Sequence, residues 1–148
     1  MRKNIIIISL IVFLTNCGFT PIYTNNTNVN FSIEQVNFTG DRELNNFLKT
    51  NLNPYKNEKN ENKFYIIANS TYKKIILTKD GTGEVTKYQL EAEVIFLIKP
   101  SNKKIKITEQ KIMDSVSDKL EQARNERFIK QNFASSISNK LSSELIVN

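Results

Sequence analysis

Histidine and tryptophan are absent from this 148-residue chain, and cysteine occurs once. Without histidine there is no Ser-His-Asp triad, no imidazole base and no histidine-based metal site. A lone cysteine closes no intrachain disulfide, so the fold rests on packing. No Gly-x-Ser-x-Gly nucleophile turn is present either. Nor is there an apolar run of the roughly 20 residues that span a bilayer. These absences argue against an enzyme, and no cofactor or metal site is read from the chain.

What is present begins at the N-terminus. Arg2 and Lys3 precede the apolar run Ile5-Ile6-Ile7-Ile8-Ser9-Leu10-Ile11-Val12-Phe13-Leu14. Cations followed by about ten mostly apolar residues read as a secretory signal peptide over 1–16. The cysteine sits where cleavage would expose it. Leu14-Thr15-Asn16-Cys17 is close to a bacterial lipobox, with Asn16 departing from the usual small residue. The expectation is cleavage before Cys17 and lipid on its thiol; a free thiol behind an ordinary signal peptide is the alternative. Acyl chains contribute about 0.8 kcal/mol per buried CH₂, and stable anchoring takes more than one. Gly18, rather than Asp, favours sorting to the outer membrane.

Removing the 16 residues of the leader leaves 132 of the 148, enough for one domain with one core. Losing Arg2 and Lys3 takes the net charge from +6 to +4. Export argues against nucleic acid as the partner. The polyanions at that address are lipid head groups and phosphorylated glycolipid.

Residues 17–30 hold Pro21 and many Asn and Thr, and read as a tether; 31–148 read as a single α+β domain. Residues 31–38 form a first strand, with a change of face near Gln35. Asp41 reads as the N-cap of a helix whose Leu44, Phe47, Leu48 and Leu52 share a face, stopped at Pro54. A solvated loop over 55–63 follows. Residues 64–77 form a long strand, apolar on both parities. Asp80-Gly81 marks a hairpin turn.

The strand over 87–99 has the clearest alternation. Tyr88, Leu90, Ala92, Val94, Phe96 and Ile98 point one way, and Lys87, Gln89, Glu91, Glu93 and Lys99 the other. A strand from Lys103 runs toward Val116, with a bulge expected after Thr108. Asp118 with Glu121 opens a long helix of about 25 residues. Its core stripe reads Leu120, Ala123, Ile129, Phe133, Ile137, Leu141 and Leu145; Lys130, Ser138 and Ser142 fall on its polar side. The order β-α-β-β-β-α gives a four-stranded, mainly antiparallel sheet with two helices packed on one face.

Lys73, Lys74, Lys79 and Lys87 cluster in the distal half of the hairpin over 64–99. Such cations suit lipid phosphates, at about 1 kcal/mol each near an anionic surface. A solvated hairpin whose charges blunt edge pairing is the alternative. Lys103, Lys104 and Lys106 form a second cluster with the same two readings. Alternation alone accounts for Glu91 and Glu93.

The lipobox, the segment Cys17-Gly18-Phe19-Thr20-Pro21-Ile22-Tyr23, the element order, the size and the long last helix together resemble the lipopolysaccharide-assembly lipoprotein family, LptE. The resemblance implies an outer-membrane lipoprotein on the periplasmic face, held by a lipid anchor and seated as a plug in a large outer-membrane β-barrel translocon subunit of the LptD kind. It also implies help in barrel assembly and contact with lipopolysaccharide through basic residues, here Lys73, Lys74, Lys79 and Lys87. The side of the sheet without helices, with Ile75, Ile95 and Leu97, is expected to meet the barrel wall. An accessory lipid-binding lipoprotein of another envelope transport system is the alternative, separated by the partner it binds.

Overall fold

A computed structural model describes residues 31–56 and 62–146. The expected signal peptide over 1–16, Cys17, the tether over 17–30 and part of the expected loop lie outside the described residues. The chain runs β1 (Ser32–Gly40), α1 (Arg42–Leu52), a 3₁₀ turn (Asn53–Tyr55), β2 (Lys63–Lys79), β3 (Val85–Lys99), β4 (Lys103–Asp114) and α2 (Lys119–Ile146). The strands form one sheet in the order β1-β2-β3-β4. β2, β3 and β4 pair antiparallel through short turns. β1 and β2 pair parallel, because α1 and the chain after it carry the crossover that a parallel pair needs.

Each boundary has a local cause. Asp41 accepts from the Leu44 amide at 2.7 Å and caps α1. Pro54 ends α1 in the 3₁₀ turn. Asp118 accepts from the amides of Leu120 (2.7 Å) and Glu121 (3.3 Å) and caps α2. The face change near Gln35 is a register shift between Ile33 and Gln35. The bulge expected after Thr108 is absent. β4 stays in unbroken register with β3 from Lys103↔Ile98 to Asp114↔Lys87. The apolar residues change parity there because Ile112 lies on the outer face while Met113 continues the buried row.

β3 supplies the middle of the core: Leu90, Ala92, Val94, Phe96 and Ile98 are buried on the face the helices cover. α1 adds Leu44, Leu48 and Leu52. Phe31 stacks on Tyr55, centroids 5.7 Å apart, and closes one end. The stripe expected on α2 needs two corrections. Leu120 and Ala123 are exposed, since the helix joins the core only from Ile129 onward. From there two rows are buried rather than one. Ile129, Phe133, Ile137, Leu141 and Leu145 form the first; Lys130, Ala134, Ser138 and Ser142 form the second. The second row meets α1 and the turn after it, as the contacts Lys130–Glu43 and Tyr55–Ser142 show. Small side chains at four-residue spacing let two helices approach closely.

Candidate interaction surfaces

Alternation places both helices on one face of the sheet and leaves the other uncovered among the described residues. Register sets that outer face row by row. Ile67, Leu97 and Lys104 lie across from one another; then Asn69, Ile95 and Lys106; then Thr71, Glu93 and Thr108. Farther on come Lys73, Glu91 and Gln110, and finally Ile75, Gln89 and Ile112. Tyr65 (46% exposed) and Ile67 (44%) beside half-buried Ile95 and Leu97 make one apolar end. Ile75 (44%) and Ile112 (58%) make the other, with a polar belt between. Apolar area gathered on an uncovered sheet face marks a contact surface.

The four hairpin lysines do not form one patch. Lys73 is on the outer face opposite Glu91. Lys74 is on the helix side, its Nζ 2.7 Å from Glu126 Oε2 and 4.4 Å over the Tyr88 ring. Lys87 lies 3.9 Å from Asp114. Lys79 ends β2 beside the turn. Alternation separates Lys73 from Lys74, which a count along the sequence does not show. In the second cluster Lys103 pairs with Glu144 at 3.0 Å and Lys106 with Glu93 at 2.8 Å. Glu91 accepts from Gln110 Nε2 at 3.1 Å, so both carboxylates have surface partners.

The hairpin turn is organised by Asp80. One carboxylate oxygen accepts from the amides of Thr82 and Glu84 (2.9 Å each) and from the Thr82 hydroxyl (2.7 Å). Those bonds, the Thr82 hydroxyl foremost, hold its carboxyl below the ordinary 3.8. A depressed folded-state value stabilises the turn above pH about 3.8, and the contribution is lost as pH falls through the lower, folded value. An NMR titration is expected to show the Thr82 and Glu84 amides shifting together below that pH. Amides that titrate at the ordinary value would remove the assignment.

A largely enclosed polar cluster sits on the polar side of α2. Lys130, with 8% of its side chain exposed, lies 3.0 Å from Glu43 Oε2, 3.7 Å from Asp41 Oδ1 and 3.9 Å over the Tyr72 ring. Tyr72 donates to Glu126 Oε1 at 3.0 Å. Burial, then the Glu126 carboxylate, pushes the Tyr72 hydroxyl far above its ordinary value, so it stays a donor. The cluster ties the start of α1 to β2 and α2. The sequence signal for it was the four-residue spacing from Lys130 to Ser142, set beside the parallel apolar row. Removing one member of a buried ion pair strands its partners. Asp41 and Glu43 remain partly exposed, at 26% and 43%, which tempers that cost. Lys130→Ala is therefore expected to lower unfolding free energy by about 2 kcal/mol, read as a fall in the urea midpoint. An unchanged midpoint would mean the cluster contributes nothing.

Among the described residues the architecture is α+β: a mixed four-stranded sheet with two helices on one side and an open face on the other. No family model matches the chain, and no curated protein matches it. Solved structures do. It is similar to rare lipoprotein B from Shewanella oneidensis (TM-score 0.56, 16% identity, 75% of this chain and 92% of that one). It is also similar to lipoprotein B from Nitrosomonas europaea (0.55, 15%, 80% and 86%). A minor lipoprotein from Acinetobacter baumannii gives 0.51 at 15% identity, over 76% and 95%. The fold is thus one that bacterial lipoproteins adopt.

Proposed function

We propose that this chain is an outer-membrane lipoprotein of the periplasmic face, anchored through Cys17, that acts as a non-enzymatic plug and assembly subunit of a lipopolysaccharide translocon. Its partner is a large β-barrel subunit of the LptD kind, and its role is to aid barrel assembly and deliver lipopolysaccharide to the outer leaflet. The observation that carries this reading is the uncovered sheet face, apolar at both ends, on a fold shared with bacterial lipoproteins. A barrel wall presents a curved surface of strands, and an open sheet is a shape that packs against it. Lys73 and Lys79 are the hairpin lysines with no acidic partner within ion-pair distance among the described residues, which favours them over Lys74 and Lys87 for phosphate contact.

The test is to purify the lipidated full chain from envelopes and identify a barrel that accompanies it, then to deplete the chain and probe lipopolysaccharide at the cell surface. Co-purification of one large barrel and loss of surface lipopolysaccharide are expected. Recovery instead with an inner-membrane transporter and its periplasmic shuttle would transfer the protein to another lipid-transport system.

A further inference from the structure

β4 is a long edge strand guarded by lysines rather than by a bulge or a proline. It is 12 residues long. Its register against β3 is unbroken, and it contains no proline. The sheet order leaves its far side unpaired among the described residues. A long regular edge with open backbone donors and acceptors is a template for another strand. Beside it lies a groove of about 510 Å³ between β4 and the C-terminal half of α2. Ile105 and Ile107 from β4 line it with Asn139 and Ser143 from α2.

Charge decides which strand fits. β4 carries Lys103, Lys104, Lys106 and Lys111 against Glu109 and Asp114. Glu109 is engaged by Lys140 at 2.6 Å and by the Ser136 hydroxyl at 2.7 Å. Lys104 and Lys111 are exposed, with no ion-pair partner among the described residues. Edge lysines reject a like-charged strand, and a second copy of β4 is such a strand. They attract an acidic one.

We infer that the β4 edge accepts an extended acidic segment of another protein, which continues the sheet as a fifth strand. Alternate side chains of that segment enter the groove over Ile105 and Ile107. The intervening carboxylates lie beside Lys104 on the outer face, the lysine there with no ion-pair partner among the described residues. Main-chain bonds supply the affinity, and the two rows of side chains supply the selection. The added strand lies at the rim of the sheet and borders the open face at Lys104; the peptide experiment needs no barrel, so its failure and the failure of the barrel reading are distinguishable.

The experiment uses the full chain in detergent micelles and a fluorescent Glu-Val alternating peptide of about eight residues, a common strand length. Saturable binding by anisotropy is expected, together with slowed hydrogen exchange at amides between Lys104 and Asp114. A matching Lys-Val peptide is expected not to bind. Lys104→Glu is expected to weaken the acidic peptide about tenfold while exchange in β2 stays native. Three results would overturn the inference. They are binding without slowed exchange in β4, equal binding of the basic peptide, or sedimentation showing that two copies already pair through this edge.

Discussion

Gly40→Ala is expected to cost about 3 kcal/mol or more and to lower the thermal midpoint by about 10 °C or more. Gly40 ends β1 at φ +96, a region that L side chains avoid at about 1–2 kcal/mol. A Cβ there would sit 1.8 Å from the Ser70 carbonyl oxygen and 2.8 Å from its carbon. Those are backbone atoms of the neighbouring strand and cannot swing aside. Relief requires β1 to separate from β2 where the Asp41 amide bonds the Ser70 carbonyl at 3.1 Å. Ser70 is itself buried, its Oγ 2.7 Å from Asn45 Oδ1 and 3.4 Å from the Asp41 carbonyl oxygen, so the disturbance reaches the start of α1. Overpacking of this type adds about 1–3 kcal/mol to the backbone strain. Gly81→Ala is the control, since a Cβ there meets nothing within 4 Å. Equal melting of the two variants would show that the close approach at Gly40 has been misjudged.

Ile67→Glu and Ile75→Glu are expected to abolish co-purification with a barrel partner, by tenfold or more, while leaving the fold intact. Each side chain is 44% exposed and lies on the uncovered face, at opposite ends of β2. Exchanging a half-exposed isoleucine for glutamate removes little core contact, so stability is expected to change by about 1 kcal/mol or less. In a docked complex the same carboxylate would lose its water without gaining a partner, which costs several kcal/mol. The pair of positions tests whether contact covers the whole face or one end of it. Thr71→Glu in the polar belt is the comparison, with a smaller effect expected. Unchanged recovery of the partner with both isoleucine variants would remove the open face as the contact surface and the plug reading with it.

Much of the architecture was legible because it depends on short-range rules. The alternation from Tyr88 to Ile98, the Asp80-Gly81 turn, the Asp41 and Asp118 caps and Pro54 each act within a few residues. The candidate surface was legible only in outline. Period two and the register put Ile75, Ile95 and Leu97 on one face, and the exposure of Ile67 and Ile75 shows that face to be uncovered among the described residues. The lysine cluster was misleading as a cluster. Lys73 and Lys74 are adjacent along the chain, yet one faces solvent while the other is drawn to Glu126 on a helix that begins more than forty positions later. Lys130 failed for the reverse reason. Helical spacing assigns it a polar face, and the packing of α1 makes that face an interior.

By itself, then, the sequence determined the order of strands and helices and their limits to within a few residues, which face of β3 is apolar, and that neither an intrachain disulfide nor a histidine of this sequence holds or serves the fold. The tertiary structure alone decided that β1 lies parallel to β2, that Gly40 must admit the Ser70 backbone, that Lys130 is enclosed, and that β4 is the edge of the sheet among the described residues. The division has one physical cause. Local preferences act through backbone dihedrals and near neighbours, whereas pairing, enclosure and exposed edges depend on residues brought together from distant parts of the chain.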